Sequence, residues 1–161
     1  MAAQDPRNSP SYRLNETAHY LCIPKTTLRS WLVGRGFIKP VIAIADRGGV
    51  LLSFINLVEA RVIDAIRRQH GHHLERIVWG NDGTPTKLFP FTRKRRPDDP
   101  KIIVIDPTLS FGRPVLAGTG IATAVIAERY KAGESISALA RDYGRKDLDI
   151  EEAIRWELSA A

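Results

Sequence analysis

The dipeptide Ile23-Pro24 cuts a helix-forming stretch in two, and no other feature constrains the chain as much. Residues Tyr12 to Gly34 read YRLNETAHYLCIPKTTLRSWLVG. Proline has no amide hydrogen and disfavours helical geometry in the residue before it, so a helix from Asn15 to Leu21 has to stop there. A second helix is expected from Thr26 to Val33. Asn15 is the expected cap of the first, because its side chain can accept from amides of the first turn. Ala18, Leu21 and Cys22 would line one inner face with Leu14. Cys22, the only cysteine, is expected to be buried there as a small hydrophobe. In the second helix Leu28, Trp31 and Leu32 recur at helical spacing and are expected inside. Gly34 and Gly36 then end it. Two short helices joined by such a break make a helix-turn-helix.

The second helix carries Lys25, Thr26, Thr27, Arg29 and Ser30 near its leading end. Arginine donates as a fork to guanine or phosphate, and threonine offers a methyl to thymine and a hydroxyl to phosphate. The plainer alternative makes Thr26 a cap and Arg29 a solvated residue. Phe37 to Ala45 and Val50 to Phe54 are apolar and flank Asp46-Arg47-Gly48-Gly49, which predicts a short hairpin with Arg47 at its tip. Arg47 could enter a minor groove or grip a phosphate, and Arg35 and Lys39 have similar standing. A tight turn also prefers polar residues at its tip without any ligand. Ser53 or Asn56 is the expected cap of a helix running to about Gln69. Leu57, Val58, Val62, Ile63 and Ile66 are its apolar positions, and Arg61, Arg67 and Arg68 are expected to be solvated or turned towards phosphates.

Beyond Gln69 the character changes. Leu74 to Trp79 and Lys87 to Phe91 read as strands around Asn81-Asp82-Gly83, a strong hairpin signal. Thr92 to Pro100 (TRKRRPDDP) is a charged linker. Its Arg93, Lys94, Arg95 and Arg96 could contact phosphate in a salt-sensitive way, dock an acidic partner or simply be solvated. A strand from Lys101 to Ile105 follows, then the glycine-rich stretch Phe111 to Gly120. Three short helices are expected after it, capped by Thr123, by Ser135 and by an Asp149–Glu152 capping box.

The chain has 161 residues, a formal net charge of +6 and a pI near 9.8, which favours a polyanionic partner. One cysteine excludes an intramolecular disulfide and a cysteine-built zinc site. His70, His72 and His73 invite a metal, but without a carboxylate–histidine pattern none is expected. The glycine-rich stretch lacks the order of a phosphate-binding loop; Arg113 within it could hold an anion, although turn formation explains its glycines more simply. Asp106, Asp142, Asp147 and Asp149 each have a local turn or cap role, so no catalytic site, enzyme activity or cofactor is expected. No run approaches the roughly 20 apolar residues of a membrane span, and MAAQDPRNSPS has no secretory apolar core. A cytoplasmic location is the expectation.

Tyr12 to Gly34, with the hairpin and arginine-rich helix after it, resembles the helix-turn-helix of MerR-like regulators. Ile102 to Leu158, especially IDPTLSFGRPVLAGTGIAT, AERYKAGESISALARDYG and DIEEAIRWEL, looks like the DUF433 family. Together the halves resemble VapB45-like antitoxins of type II toxin–antitoxin modules. That resemblance implies repression at the protein's own promoter as a dimer, and neutralisation of a PIN-like ribonuclease toxin. The stretch between the arginine-rich helix and Leu74 is short here beside such proteins.

The expected fold is mainly α with short β-hairpins: a flexible arm (1–11), a winged-type MerR-like helix-turn-helix (12–69), a hairpin and basic linker (70–100) and a trihelical DUF433-like domain (101–161). The expected partners are double-stranded operator DNA, a cognate PIN-like toxin and a second copy as homodimer, with no membrane. Glu151, Glu152 or Glu157 could face a basic toxin patch, and Ile121, Val125 and Ile126 could serve a core or a partner face. The rival expectation is an oligomeric scaffold that binds proteins only.

Overall fold

The computed structural model describes residues 5–37, 39–44, 51–68, 71–93 and 98–159, with residues 71–73 by backbone alone. Six α-helices and three small antiparallel sheets make up these residues, in two compact units that divide between Leu88 and Phe89.

In the amino-terminal unit, β1 (Tyr12–Arg13) leads into α1 (Leu14–Leu21). The helix starts one residue earlier than its sequence suggested, which makes Asn15 an exposed second position rather than a cap. Glu16 does the capping: its carboxylate accepts from the Arg13 amide at 2.8 Å. The inner face is Thr17, Tyr20 and Leu21, while Ala18 and Leu14 are only half-buried. Tyr20 meets the buried Tyr12 edge-to-face, ring centroids 6.3 Å apart, and this contact rotates the helix away from the expected face.

Cys22 ends α1 in left-handed geometry (φ 51°), and its amide bonds the His19 carbonyl at 2.9 Å. The reversal sends its side chain outward, so Cys22 is exposed and not buried. After Pro24, α2 (Lys25–Val33) buries Leu28, Trp31 and Leu32 as expected.

The predicted hairpin around Arg47 is not formed as drawn. Residues 39–44 are not a strand, and β2 (Leu51–Leu52) pairs instead with β1, Tyr12 opposite Leu52 and Arg13 opposite Leu51. The Trp31 carbonyl accepts from the amides of Val41 and Ile42 at 2.8 and 3.0 Å, which ties that segment to α2 and removes it from a ladder. Arg47 lies outside the described residues.

Ser53 and Asn56 cap α3 (Phe54–Arg68) reciprocally: the Asn56 amide donates to Ser53 Oγ and the Ser53 amide to Asn56 Oδ1. Phe54, Leu57, Val58, Ala60 and Ala65 are buried, but Ile66 is exposed. Arg61 corrects the expectation most sharply, being wholly buried on the same helix as buried Asp64. Arg68 pairs with Asp64 at 2.9 Å. A 3-10 helix (Gly71–Arg76) takes up part of the expected strand, leaving β3 (Ile77–Trp79) to pair with β4 (Pro85–Leu88). Gly83 sits in the turn at φ 74°, a conformation that favours glycine.

The arm expected over residues 1–11 is held from Asp5 onward. Pro6–Asn8 form a 3-10 turn capped by Asp5, and the Ser11 amide donates to Leu52 at 2.9 Å. Within it Arg7 pairs with Asp5 at 2.7 Å and donates to Thr84 of the hairpin turn.

The carboxy-terminal unit begins with β5 (Ile103–Val104) pairing with β6 (Val115–Leu116). Three helices follow: α4 (Thr123–Lys131), α5 (Ile136–Tyr143) and α6 (Asp147–Leu158). Leu116, Ile126, Leu139, Ile150, Ala153 and Ile154 form the core; Ile121 packs at its margin and Val125 is half-exposed. Ser135 caps α5 as expected, accepting from Ala138. Gly144 closes the helix in left-handed geometry. Thr123 is the first residue of α4 rather than its cap, its hydroxyl lying 3.3 Å from the Pro114 carbonyl and 2.6 Å from Glu157.

The Asp149–Glu152 capping box is also overturned. Lys146 occupies the cap position, Asp149 pairs with Arg145 at 3.2 Å, and Glu152 is wholly buried. Arg93 and Arg155 both donate to Glu152 Oε1. Burial alone would raise the Glu152 pKa, but the Arg93 hydrogen bond and the charges of Arg155 and Arg93 outweigh it and hold it below 4.5. Its stabilisation is therefore complete above the ordinary glutamate range and is lost as pH falls through the depressed folded value. Glu152→Gln is expected to destabilise this unit by roughly 1–2 kcal/mol near neutral pH, because the half-exposed Arg93 and Arg155 lose charge-assisted hydrogen bonds to a buried carboxylate. Urea denaturation followed by circular dichroism measures the difference, which should shrink progressively below the ordinary glutamate range.

Candidate nucleic-acid interface

Each sequence-expected contact on α2 can now be placed. Lys25, Thr26 and Arg29 are exposed, while Thr27 and Ser30 are half-buried. The division follows from the opposite side of the helix: Leu28 is fully buried, Leu32 is 3% exposed and Trp31 9%. With those three inside, helical spacing turns positions 25, 26 and 29 to water. Ser30 is partly withdrawn, since its hydroxyl donates to the Thr27 carbonyl at 2.6 Å. No side chain caps the first turn of α2, which begins directly after Pro24. Its leading end therefore combines exposed donors with the positive end of a helix dipole.

Arg35 and Lys39 are exposed beyond the other end of α2. Nine residues at about 1.5 Å rise give the helix a length of roughly 13 Å. The two basic groups accordingly flank α2 from opposite ends instead of clustering. The guanidinium of Arg67, on α3, stands 5.9 Å from the Trp31 ring centroid. This stacking was not legible in sequence, because 36 positions separate the two residues. Burial holds the His19 pKa below the ordinary imidazole value, which disfavours a positive charge at the end of α1.

In the carboxy-terminal unit Arg93 is not a loose basic residue, since Glu152 engages its guanidinium. Lys94, Arg95 and Arg96 lie outside the described residues, as does His70. Among the carboxylates suggested for a partner, Glu152 is removed by burial. Glu151 pairs with Arg155, and Glu157 accepts from Thr123. The glycine-rich stretch forms a left-handed turn at Phe111 (φ 55°) and Gly112 (φ 75°). The Gly112 amide bonds Leu109 at 2.8 Å, and the Arg113 side chain is exposed. Asp106 holds a local turn through Thr108, accepting from its amide at 2.9 Å. Arg129 bridges Glu134 and Asp142 at 2.5 and 2.6 Å, which raises its own pKa and lowers that of Glu134.

Residues 103–156 match the family described as "Protein of unknown function (DUF433)". The carboxy-terminal unit carries a DUF433 domain. That match covers a third of the chain. The X-ray crystal structure of Rv2018 from Mycobacterium tuberculosis is similar over 91% of this chain and 98% of that one, with a TM-score of 0.71 and 20% identity. At that identity the likeness is one of fold. No curated protein matches the chain. No helix among the described residues is long and apolar enough to cross a membrane.

The position of Cys22 beside α2 yields a direct check on the two-helix geometry. Iodoacetamide should label one thiol per chain in the folded protein at a rate close to that in denaturant. Labelling that waits for unfolding would mean that α1 ends differently.

Proposed function

We propose that this chain binds double-stranded operator DNA through α2, used as the second helix of a MerR-like helix-turn-helix, and acts as an antitoxin. The observation that carries DNA binding is the division of α2. One side is locked inside by Leu28, Trp31 and Leu32, and the other offers Lys25, Thr26 and Arg29 to solvent. A net charge of +6 supports a polyanionic partner. Arg29 is the proposed base-reading group, with Thr26 beside it. Lys25 at the leading end and Arg35 and Lys39 beyond the trailing end would hold phosphates.

The antitoxin role rests on the DUF433 match together with the resemblance of the whole chain to VapB45-like antitoxins. In this reading the carboxy-terminal unit engages a PIN-like ribonuclease, and inhibition is stoichiometric without turnover. A homodimer would place two copies of α2 on a two-fold operator. The protein works in the cytoplasm, where both operator and toxin are found.

Arg29→Ala distinguishes base reading from general charge attraction. On a duplex from the region upstream of its own gene, the variant should bind about tenfold more weakly, or roughly 1.4 kcal/mol, as expected for a lost bidentate base contact. On a scrambled duplex the loss should be smaller. Equal losses on both would reduce Arg29 to a phosphate contact. If the parent protein shows no preference for the upstream duplex at any salt concentration, sequence-specific repression is wrong.

A further inference from the structure

The amino-terminal unit holds a concavity that DNA binding does not use. Val58 and Val62 of α3, Trp79 of β3, Pro85 of β4 and the preceding Val41 enclose a groove of about 460 Å³. Small-molecule sites commonly occupy about 300–1,000 Å³, with mainly apolar walls and a few placed polar groups. Here the placed group is Glu59, the one ionisable side chain on the groove wall among the described residues. Its carboxylate accepts a hydrogen bond from Asn56 Nδ2 at 2.9 Å and has no ion pair among the described residues.

A second, smaller concavity of about 220 Å³ adjoins the first. It is lined by the polar Asn8, Ser53 and Asn56 and shares Ile55 and Glu59 with the groove. Glu59 thus stands where an apolar space meets a polar one. Trp79, 50% exposed, offers an indole to the apolar side.

We propose that this groove binds a small hydrophobic organic cation, with its apolar body among the valines and Trp79 and its charge beside Glu59. A neutral apolar molecule would leave the carboxylate without a role, and an anion would be repelled by it. A compact, strongly hydrated cation would gain nothing from the apolar walls. A weakly hydrated cation gains from both, and from the indole face. The negative charge is notable on a chain with a net charge of +6, where adventitious ligands would be anions.

Methyltriphenylphosphonium and the similarly shaped, neutral triphenylphosphine oxide test the charge requirement by calorimetry without DNA, so the result is independent of operator binding. The cation should bind one per chain and more tightly than the oxide. Glu59→Gln, which keeps an acceptor for Asn56, should weaken the cation about fivefold and leave the oxide unchanged. Trp79→Ala should weaken the cation about tenfold, with circular dichroism confirming the fold. Equal affinity of the two probes with no effect of Glu59→Gln, or no binding of either, would overturn the proposal. So would a fall in oligomeric state on Trp79→Ala in sedimentation, which would mean that a second copy covers the groove.

Discussion

The burial of Leu28, Trp31 and Leu32 fixes the rotation of α2, and everything proposed for the amino-terminal unit depends on that rotation. A nine-residue helix has little stability of its own in water, so its orientation comes from packing. Each leucine that loses its contact with water contributes roughly 2 kcal/mol. The Trp31 carbonyl adds a second restraint by receiving two amides from the segment that follows. Turning the helix by a third would expose Trp31 and bury Arg29 in its place, at a large desolvation cost. The outward position of Lys25, Thr26 and Arg29 is therefore a consequence of the core.

The carboxy-terminal unit solves a different problem. Its three short helices pack on Leu116, Ile126, Leu139 and Ile150, yet a carboxylate sits buried among them. Glu152 is tolerated because Arg93 and Arg155 converge on it from different parts of the chain. Such an arrangement adds little net stability compared with an apolar replacement, but once present the buried carboxylate cannot be left without its arginines. It also joins the segment before β5 to the last helix.

Some local signals were legible, although the expected caps at Asn15, Thr123 and Asp149 were not. The stop before Pro24, the Asn81-Asp82-Gly83 turn and the Ser135 cap all depend on one to four neighbouring residues, and the structure has them. The inner face of α2 was legible for the same reason. The larger failures involve partners distant in sequence. Val50 to Phe54 looked like the return arm of a local hairpin, but Leu51 and Leu52 pair with Tyr12 and Arg13. Arg61 and Glu152 carry charge and were read as surface residues, although both are fully buried. The arm expected to be flexible is engaged through Arg7 by Asp5 and the hairpin turn.

By itself the sequence determined where several helices stop, because proline and glycine act over a single turn. It also determined which side of α2 had to be apolar, since the spacing of Leu28, Trp31 and Leu32 leaves one choice. Only the tertiary structure decided which charges remain available to a ligand. Arg29 and Glu59 are left with open sides, whereas Arg61, Arg93 and Glu152 are drawn into the fold. The physical reason is that a charge is removed from the surface by partners the chain brings from far away, and no local pattern records them.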